Sequence, residues 1–340
     1  MAHEYKMSVM LQIQELLYHT LLLTICFGLL IAVIIQCFLN WRRKGILYKN
    51  AEKRQENANY DDFSKCTSSS CVRCQNYERL TLDLMERFVK YKDVKSDEGE
   101  QDLTRLQISI ENSLKMLKNG EDKSQLGDET SLPSLQKPNV FFLRGLSANP
   151  WHDGGFDTET SVLEAALPTI KQEYRELLTE QNISENFEGW LENNVPSGMW
   201  NVFYLFNQGR RMEDNCSKCP KTVAILEALS VFMKGCAFGN AMFSVLEAGT
   251  HITEHYGPCN LRIRCHLGLH VPANCSLTVA HQSRQWQEGR CLLFDDSFLH
   301  EARHAGKDDK GPRVVLMMDF WHPDVTAAEK RALCHLFPSQ

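Results

Sequence analysis

Apolar and polar positions divide the chain into three textures. The first is a single apolar run, Leu21 to Leu39, "LLLTICFGLLIAVIIQCFL", with no charge and one amide, Gln36. Coiled as a helix, this run extends roughly 28 Å, close to the ~30 Å hydrocarbon core of a bilayer. Trp41 and Arg42-Arg43-Lys44 follow it as an aromatic and basic stop. The second texture is helical. In 77–92 the apolar positions are Leu80, Leu82, Leu84, Met85, Phe88 and Val89, and in 103–118 they are Leu103, Leu106, Ile110, Leu114 and Leu117, with Asn119-Gly120 as a stop. Residues 120–137 are charged and serine-rich and read as a linker. The third texture begins at 138. A helix is expected over 161–180, broken by Pro168, and another over 220–234. Short runs alternating with a period of two follow at 199–209, 241–250, 261–269, 275–282, 289–297 and 313–321, punctuated by Gly, Pro and Asn. This pattern predicts a tail (1–20), a transmembrane anchor (21–39), a stalk with helical segments and a linker (40–137) and a folded domain (138–340). That domain is mainly β with flanking helices, a sandwich or barrel such as a jelly roll.

Composition narrows the function. The chain of 340 residues is 43% hydrophobic and 24% charged, enough for one sizeable core. A net charge of -6 argues against a nucleic-acid partner, which selects for a basic face. The lipid bilayer is the partner implied by 21–39. Its orientation is contested. Six basic residues and one acid lie between 42 and 54, which favours a cytoplasmic C-terminal side. Three N-x-S sequons, at Asn182, Asn215 and Asn274, suit a luminal domain and glycosylation. Of 13 cysteines, Cys26 and Cys37 lie in the apolar run; the odd remainder cannot all pair within one chain. Cys71/Cys74 and Cys216/Cys219 form two C-x-x-C pairs, open to reading as zinc ligands, disulfides or free thiols.

In "LRIRCHLGL" (261–269), strand alternation puts Arg262, Arg264 and His266 on one face and Ile263, Cys265 and Leu267 on the other. Three basic side chains on an inward face need an anion between them; on an outward face they are simply solvated. Further along, "LLFDDSFLHEARH" sets His300 after an apolar strand and an acid pair, Asp295-Asp296, whose own expectation is a structural one, pairing with Arg290 or Arg303. Thirteen residues on, Arg313 opens the strand "RVVLMMDFW". A histidine and an arginine facing inward from neighbouring strands suit ferrous iron and a dicarboxylate that chelates it.

The segments "HYGPCNLRIRCHLGL", "EGRCLLFDDSFLHEA" and "RVVLMMDFWHP", in this order, resemble the aspartyl/asparaginyl β-hydroxylase family, and most of all its small aspartate β-hydroxylase domain-containing members. The resemblance covers about 138–330. It implies a double-stranded β-helix (jelly roll, cupin-like) oxygenase domain behind one transmembrane helix, using Fe(II), 2-oxoglutarate and O2. By the match, His255 and His300 are the metal ligands. Trp200, Ser244, Arg264, Cys265, His266 and Arg313 occupy cosubstrate positions, and Arg262 is more apt to meet substrate. Gly257 falls where related oxygenases place a carboxylate ligand, and a glycine there leaves room for water. The family layout implies a type II protein with a luminal C-terminal domain and a protein or peptide substrate. Two departures stand out: no large helical repeat domain precedes the catalytic part, and "NCSKCPKT" spaces its cysteines differently from the family's disulfide loop. The competing expectation is a non-catalytic binding or scaffold protein that reuses the fold.

Overall fold

The computed structural model describes residues 83–95, 102–119, 136–183, 188–306 and 310–339. The apolar run 21–39 and the Cys71/Cys74 pair lie outside these residues. Among the described residues no helix is long and apolar enough to cross a membrane.

The two helices expected in the stalk form, as α1 (Leu84–Lys95) and α2 (Thr104–Asn119). They are not a detached stalk. Leu84, Phe88 and Tyr91 on α1, and Leu106 and Ile110 on α2, enter one buried cluster with Val140, Phe141 and the C-terminal residues Leu333, Leu336 and Phe337. The spacing of four and three residues explains why one stripe of each helix can be buried while the other meets water. Arg105 of α2 forms an ion pair at 2.6 Å with Glu329. Glu329 also closes the capping box with Thr326 that starts the last helix, Ala327–Leu336.

The helix expected at 161–180 divides into α3 (Asp157–Ala165) and α4 (Leu167–Ile183). Pro168 sits in the first turn of α4, where its missing N–H costs nothing, so the break falls just before it. α5 (Glu213–Lys218) and α6 (Pro220–Ala228) follow, and the C-terminal helix is α7. The strands are β1 (Trp190–Asn193), β2 (Trp200–Asn207), β3 (Arg210–Arg211), β4 (Ala241–Leu246), β5 (His251–His255), β6 (Arg262–His270), β7 (Cys275–Val279), β8 (Gln282–Gln285), β9 (Cys291–Phe294), β10 (His300–His304) and β11 (Arg313–Trp321).

One sheet runs β1-β2-β4-β11-β6-β9, with β3 on β2; the other runs β5-β10-β7-β8. From β4 to β11 the chain winds between the two sheets, every pairing antiparallel, in the strand order of a jelly roll. Trp200, Val202, Met242, Leu277, Val279, Phe294 and Val315 fill the space between the sheets. The odd-phase partners, among them Phe203, Phe243, Ile263, Cys265, Leu293, Leu316 and Phe320, pack on the far side of the larger sheet with Leu163, Ile170 and Leu226 from the helices. Period-two alternation therefore separates two cores, and whatever polar groups share the first must face the barrel interior.

Candidate active site

His255 ends β5 and His300 begins β10, and the two are direct cross-strand partners. Their ring centroids lie 4.1 Å apart. Each ring nitrogen Nδ1 lies against a carbonyl two residues back in the chain, Thr253 O within β5 at 2.8 Å and Phe298 O in the turn before β10 at 2.9 Å. A carbonyl only accepts, so Nδ1 carries the proton and Nε2 the lone pair in both rings. That is the tautomer a metal needs, fixed by the backbone. Burial pushes the His300 imidazolium down to a pKa of about 4, so the ring is neutral at physiological pH.

The space beside Gly257 is not left to water alone. A Cβ there would meet the Asp296 carboxylate at 2.5–2.7 Å. The Gly257 amide also donates to the Asp296 carbonyl at 2.6 Å. Glycine thus admits a carboxylate from another loop. Asp296 is committed to arginines: Arg262 Nη2 donates to it at 2.5 Å, and Arg264 Nη1 lies 3.2 Å away. Among the described residues no group of three or more His, Cys, Asp or Glu side chains is arranged to hold a metal.

The anion required between Arg262 and Arg264 is internal. Asp319, directly opposite Arg264 across β11 and β6, accepts from Arg264 Nε at 2.8 Å and from Arg262 Nη1 at 3.3 Å. Arg262 donates as well to the Phe238 carbonyl and is 2% exposed. These contacts correct two expectations. Arg262 does not reach a substrate, because two aspartates and a backbone carbonyl hold it in the interior. Arg264 lines the site but is neutralised by the same pair. Burial alone would raise the Asp296 pKa, but the two guanidinium groups hold it well below the usual carboxylate range. Asp295, expected to share a structural role with it, accepts instead from Gln136 at 2.6 Å and from the Ser297 amide at 2.8 Å. Burial pushes its pKa up to about 7.

Deeper in the barrel the other predicted residues converge. Trp200 Nε1 donates to Ser244 Oγ at 3.0 Å, and Arg313 donates to the Ser244 carbonyl at 3.3 Å. The Arg313 guanidinium lies over the Trp286 ring at 4.8 Å, and Trp286 Nε1 donates to His266 Nδ1 at 3.1 Å. Accepting at Nδ1 leaves the neutral His266 ring with its proton on Nε2. Burial, then Arg313 and Arg264, push the His266 pKa well below the imidazole range. His266 Nε2 and Arg313 Nε are both buried donors with no protein acceptor. Buried donors without partners are costly, and these two, one of them on the Arg313 guanidinium itself, fit a carboxylate ligand. Burial lowers the Arg313 pKa to about 10, with the Cys275 thiol as its ionisable neighbour. Cys265 is set apart from this group. It packs in the helix-covered core on the opposite face of β6 from His266.

Trp286, Asp319 and Gln136 were missing from the sequence reading. Asp319 carried a signal, since steps of two from Arg313 along one strand face reach it. The sequons also separate. Asn215 is buried and its Nδ2 donates to the Tyr204 carbonyl at 2.7 Å, so the folded chain does not offer it for glycosylation. Asn274 is exposed in a turn with φ 64°, and Asn182 lies near the end of α4. Cys216 and Cys219 are both buried, with Cys216 donating to the Leu205 carbonyl at 3.1 Å.

Residues 164–323 match the sequence profile of the family described as aspartyl/asparaginyl beta-hydroxylase. Aspartate beta-hydroxylase domain-containing protein 2 of Xenopus tropicalis is 42% identical over 276 residues, 81% of this chain and 70% of the relative. Its Homo sapiens counterpart is 43% identical over 273 residues, 80% of this chain and 70% of that protein. The aspartyl/asparaginyl beta-hydroxylase of Mus musculus is 30% identical over 280 residues, 80% of this chain and 36% of that longer protein. The paired histidines, the buried arginine and the segments that carry them therefore sit in a chain that belongs to the aspartyl/asparaginyl β-hydroxylase family.

Proposed function

We propose that this chain is an Fe(II)- and 2-oxoglutarate-dependent dioxygenase that hydroxylates aspartyl, asparaginyl or other residues of a protein substrate. The observation that carries the reading is the pairing of two metal-ready imidazoles with two unsatisfied donors, His266 Nε2 and Arg313 Nε, in one barrel. His255 and His300 would hold the iron through Nε2. Arg313 would pair with the far carboxylate of 2-oxoglutarate, with His266 supplying a neutral hydrogen bond and Trp200 and Ser244 shaping the wall. When bound, iron with 2-oxoglutarate and O2 supplies the oxidation, giving succinate, CO2 and a hydroxylated C–H bond. The chain's own contribution is geometry. Trp286 fixes the His266 ring and covers Arg313, while Phe294 and Val315 give the interior an apolar lining. The Arg262–Asp296–Asp319–Arg264 cluster holds the wall behind the metal histidines without a net charge of its own.

The test is turnover. The full chain with iron, ascorbate and labelled 2-oxoglutarate, offered aspartyl and asparaginyl peptides, is expected to release succinate. Arg313→Ala should raise the Kd for 2-oxoglutarate by roughly 30-fold or more, the scale of truncating one partner of a buried charge pair. Succinate no higher than with His300→Ala, and equal 2-oxoglutarate affinity in Arg313→Ala, would leave the scaffold reading in its place. We further propose a type II arrangement, anchored by Leu21–Leu39 with the barrel luminal. It rests on the family layout and on the exposed sequon at Asn274. Asn274→Gln should then remove glycosidase-sensitive mass from the protein made in secretory cells, whereas Asn215→Gln should not. No glycosidase-sensitive mass on the wild type would argue for the cytoplasmic side.

A further inference from the structure

The turns that follow His255 and precede His300 are tied together by a segment that precedes the family match. Lys137 donates its amide to the Ser297 carbonyl at 3.0 Å, one residue before His300's own hydrogen-bond acceptor, Phe298. Asn139 donates to the Gly257 carbonyl at 3.2 Å, and Val140 and Phe141 both donate to the Pro258 carbonyl at 3.0 Å. Leu143 and Asn260 exchange a reciprocal pair of hydrogen bonds at 2.9 and 3.0 Å. At the head of the segment Gln136, 3% exposed, bridges to Phe298 and donates its amide to Asp295 Oδ2 at 2.6 Å, across 159 residues of sequence. Asp295 in turn accepts the Ser297 amide at 2.8 Å, and the Phe298 amide donates to its carbonyl. The chain runs Gln136, Asp295, the 295–298 turn, Phe298 O, His300 Nδ1. The other end of the same segment grips the residues just after His255.

We infer that residues 136–143 are a clamp that sets the spacing of the two turns adjoining His255 and His300, and that Gln136 is a positioning residue for His300. The inference rests on the metal reading of His255 and His300. It makes the metal geometry depend on residues just past the linker, outside the catalytic sequence profile. A fragment begun at the profile boundary would lack one wall of the loop pair. The chemistry is that of an oriented hydrogen bond to a buried carboxylate: an amide N–H at residue 136 keeps Asp295 Oδ2 satisfied, so the turn that aims the Phe298 carbonyl at His300 stays in place.

The test uses the full 340-residue chain in mild detergent, with Co(II) alone as the probe, read by titration and by the visible ligand-field spectrum. Gln136→Met keeps the side-chain length and removes the donor. It is expected to weaken Co(II) binding by roughly 10–100-fold and to shift the ligand-field bands. Gln136→Glu should weaken it too at pH 8, where two carboxylates face each other. Combining Gln136→Glu with Asp295→Asn restores a donor–acceptor pair in reverse and is expected to recover affinity and spectrum. Glu173→Gln serves as the control for general destabilisation, because Glu173 caps α6 at the Lys221 and Thr222 amides on the far side of the larger sheet. It should lower the melting temperature and leave Co(II) binding unchanged. Wild-type affinity and spectrum in Gln136→Met would overturn the positioning role and leave the metal reading standing. A wild type that binds no Co(II) would overturn the metal reading and this inference with it. A reversed pair that melts like the wild type but fails to recover binding would also count against the clamp.

Discussion

Asp319→Ala is expected to destabilise the protein by about 3–5 kcal/mol, the range for removing one partner of a buried ion pair. Asp319 has no exposed surface and takes hydrogen bonds from Arg264 Nε, Arg262 Nη1 and both nitrogens of Asn240. With it gone, two interior guanidinium groups would share the single charge of Asp296. Neither arginine can turn to water, since Arg262 is 2% and Arg264 6% exposed. Against a typical total stability of about 5–15 kcal/mol, such a loss takes the domain close to its threshold. Asp319→Asn should cost less, because it keeps one acceptor and the Asn240 contacts. Urea midpoints for the two variants, with slopes compared to confirm the same unfolding, measure the difference. If Asp319→Ala changes stability by less than about 1 kcal/mol, the arginines are better solvated than their burial indicates, and the neutral-cluster account is wrong.

The same cluster shows what the sequence could and could not disclose. Alternation along "LRIRCHLGL" placed Arg262, Arg264 and His266 on one face but left open whether that face turns inward or to solvent, and the need for an anion followed only for the inward case. The identity of that anion did not follow, because it depends on which strand lies beside β6 and in what register. Once β11 is known to pair antiparallel with Asp319 opposite Arg264, the anion is an internal aspartate. The apolar strand 313–321 was legible to the residue because it is buried on both faces and reads as a continuous run. The strands that carry His255 and His300 were not. "HITEH" and "HEARH" are five residues each, rich in polar side chains, with little apolar alternation to register against noise. His255 and His300 were found through the resemblance of their surrounding segments. α1 and α2 were legible as amphipathic helices, but periodicity says only that a face is buried, never against what. Their partner, α7, and the capping box that begins it became visible only with the fold. Gln136 had no local signal at all: a glutamine at the end of a linker acquires its role from a carboxylate 159 residues away.

The histidines separate by function in a way a metal titration can read. On the proposed reading, His255→Ala and His300→Ala are each expected to abolish stoichiometric Fe(II) or Co(II) binding, since each removes one of the two proposed imidazole ligands. A single imidazole with water cannot hold a divalent ion against a chelating buffer. His266→Ala should keep the metal. Its Nδ1 accepts from Trp286, its ring stacks edge-on against Phe294 at 5.1 Å, and its Nε2 is the buried donor beside Arg313. The expected loss there is in 2-oxoglutarate affinity, with the metal-loaded protein otherwise intact. Three histidines, one assay for metal and one for cosubstrate thus give a pattern of two and one. If His266→Ala loses the metal while His255→Ala retains it, the ligand set is a different pair and the backbone carbonyls at Thr253 and Phe298 are not orienting ligands. The geometry argues for the first pattern on the strength of the tautomers. His255 and His300 have Nδ1 protonated by contact with carbonyls and present lone pairs. His266 has the reverse tautomer, and a protonated Nε2 donates to an anion; it cannot bind a cation.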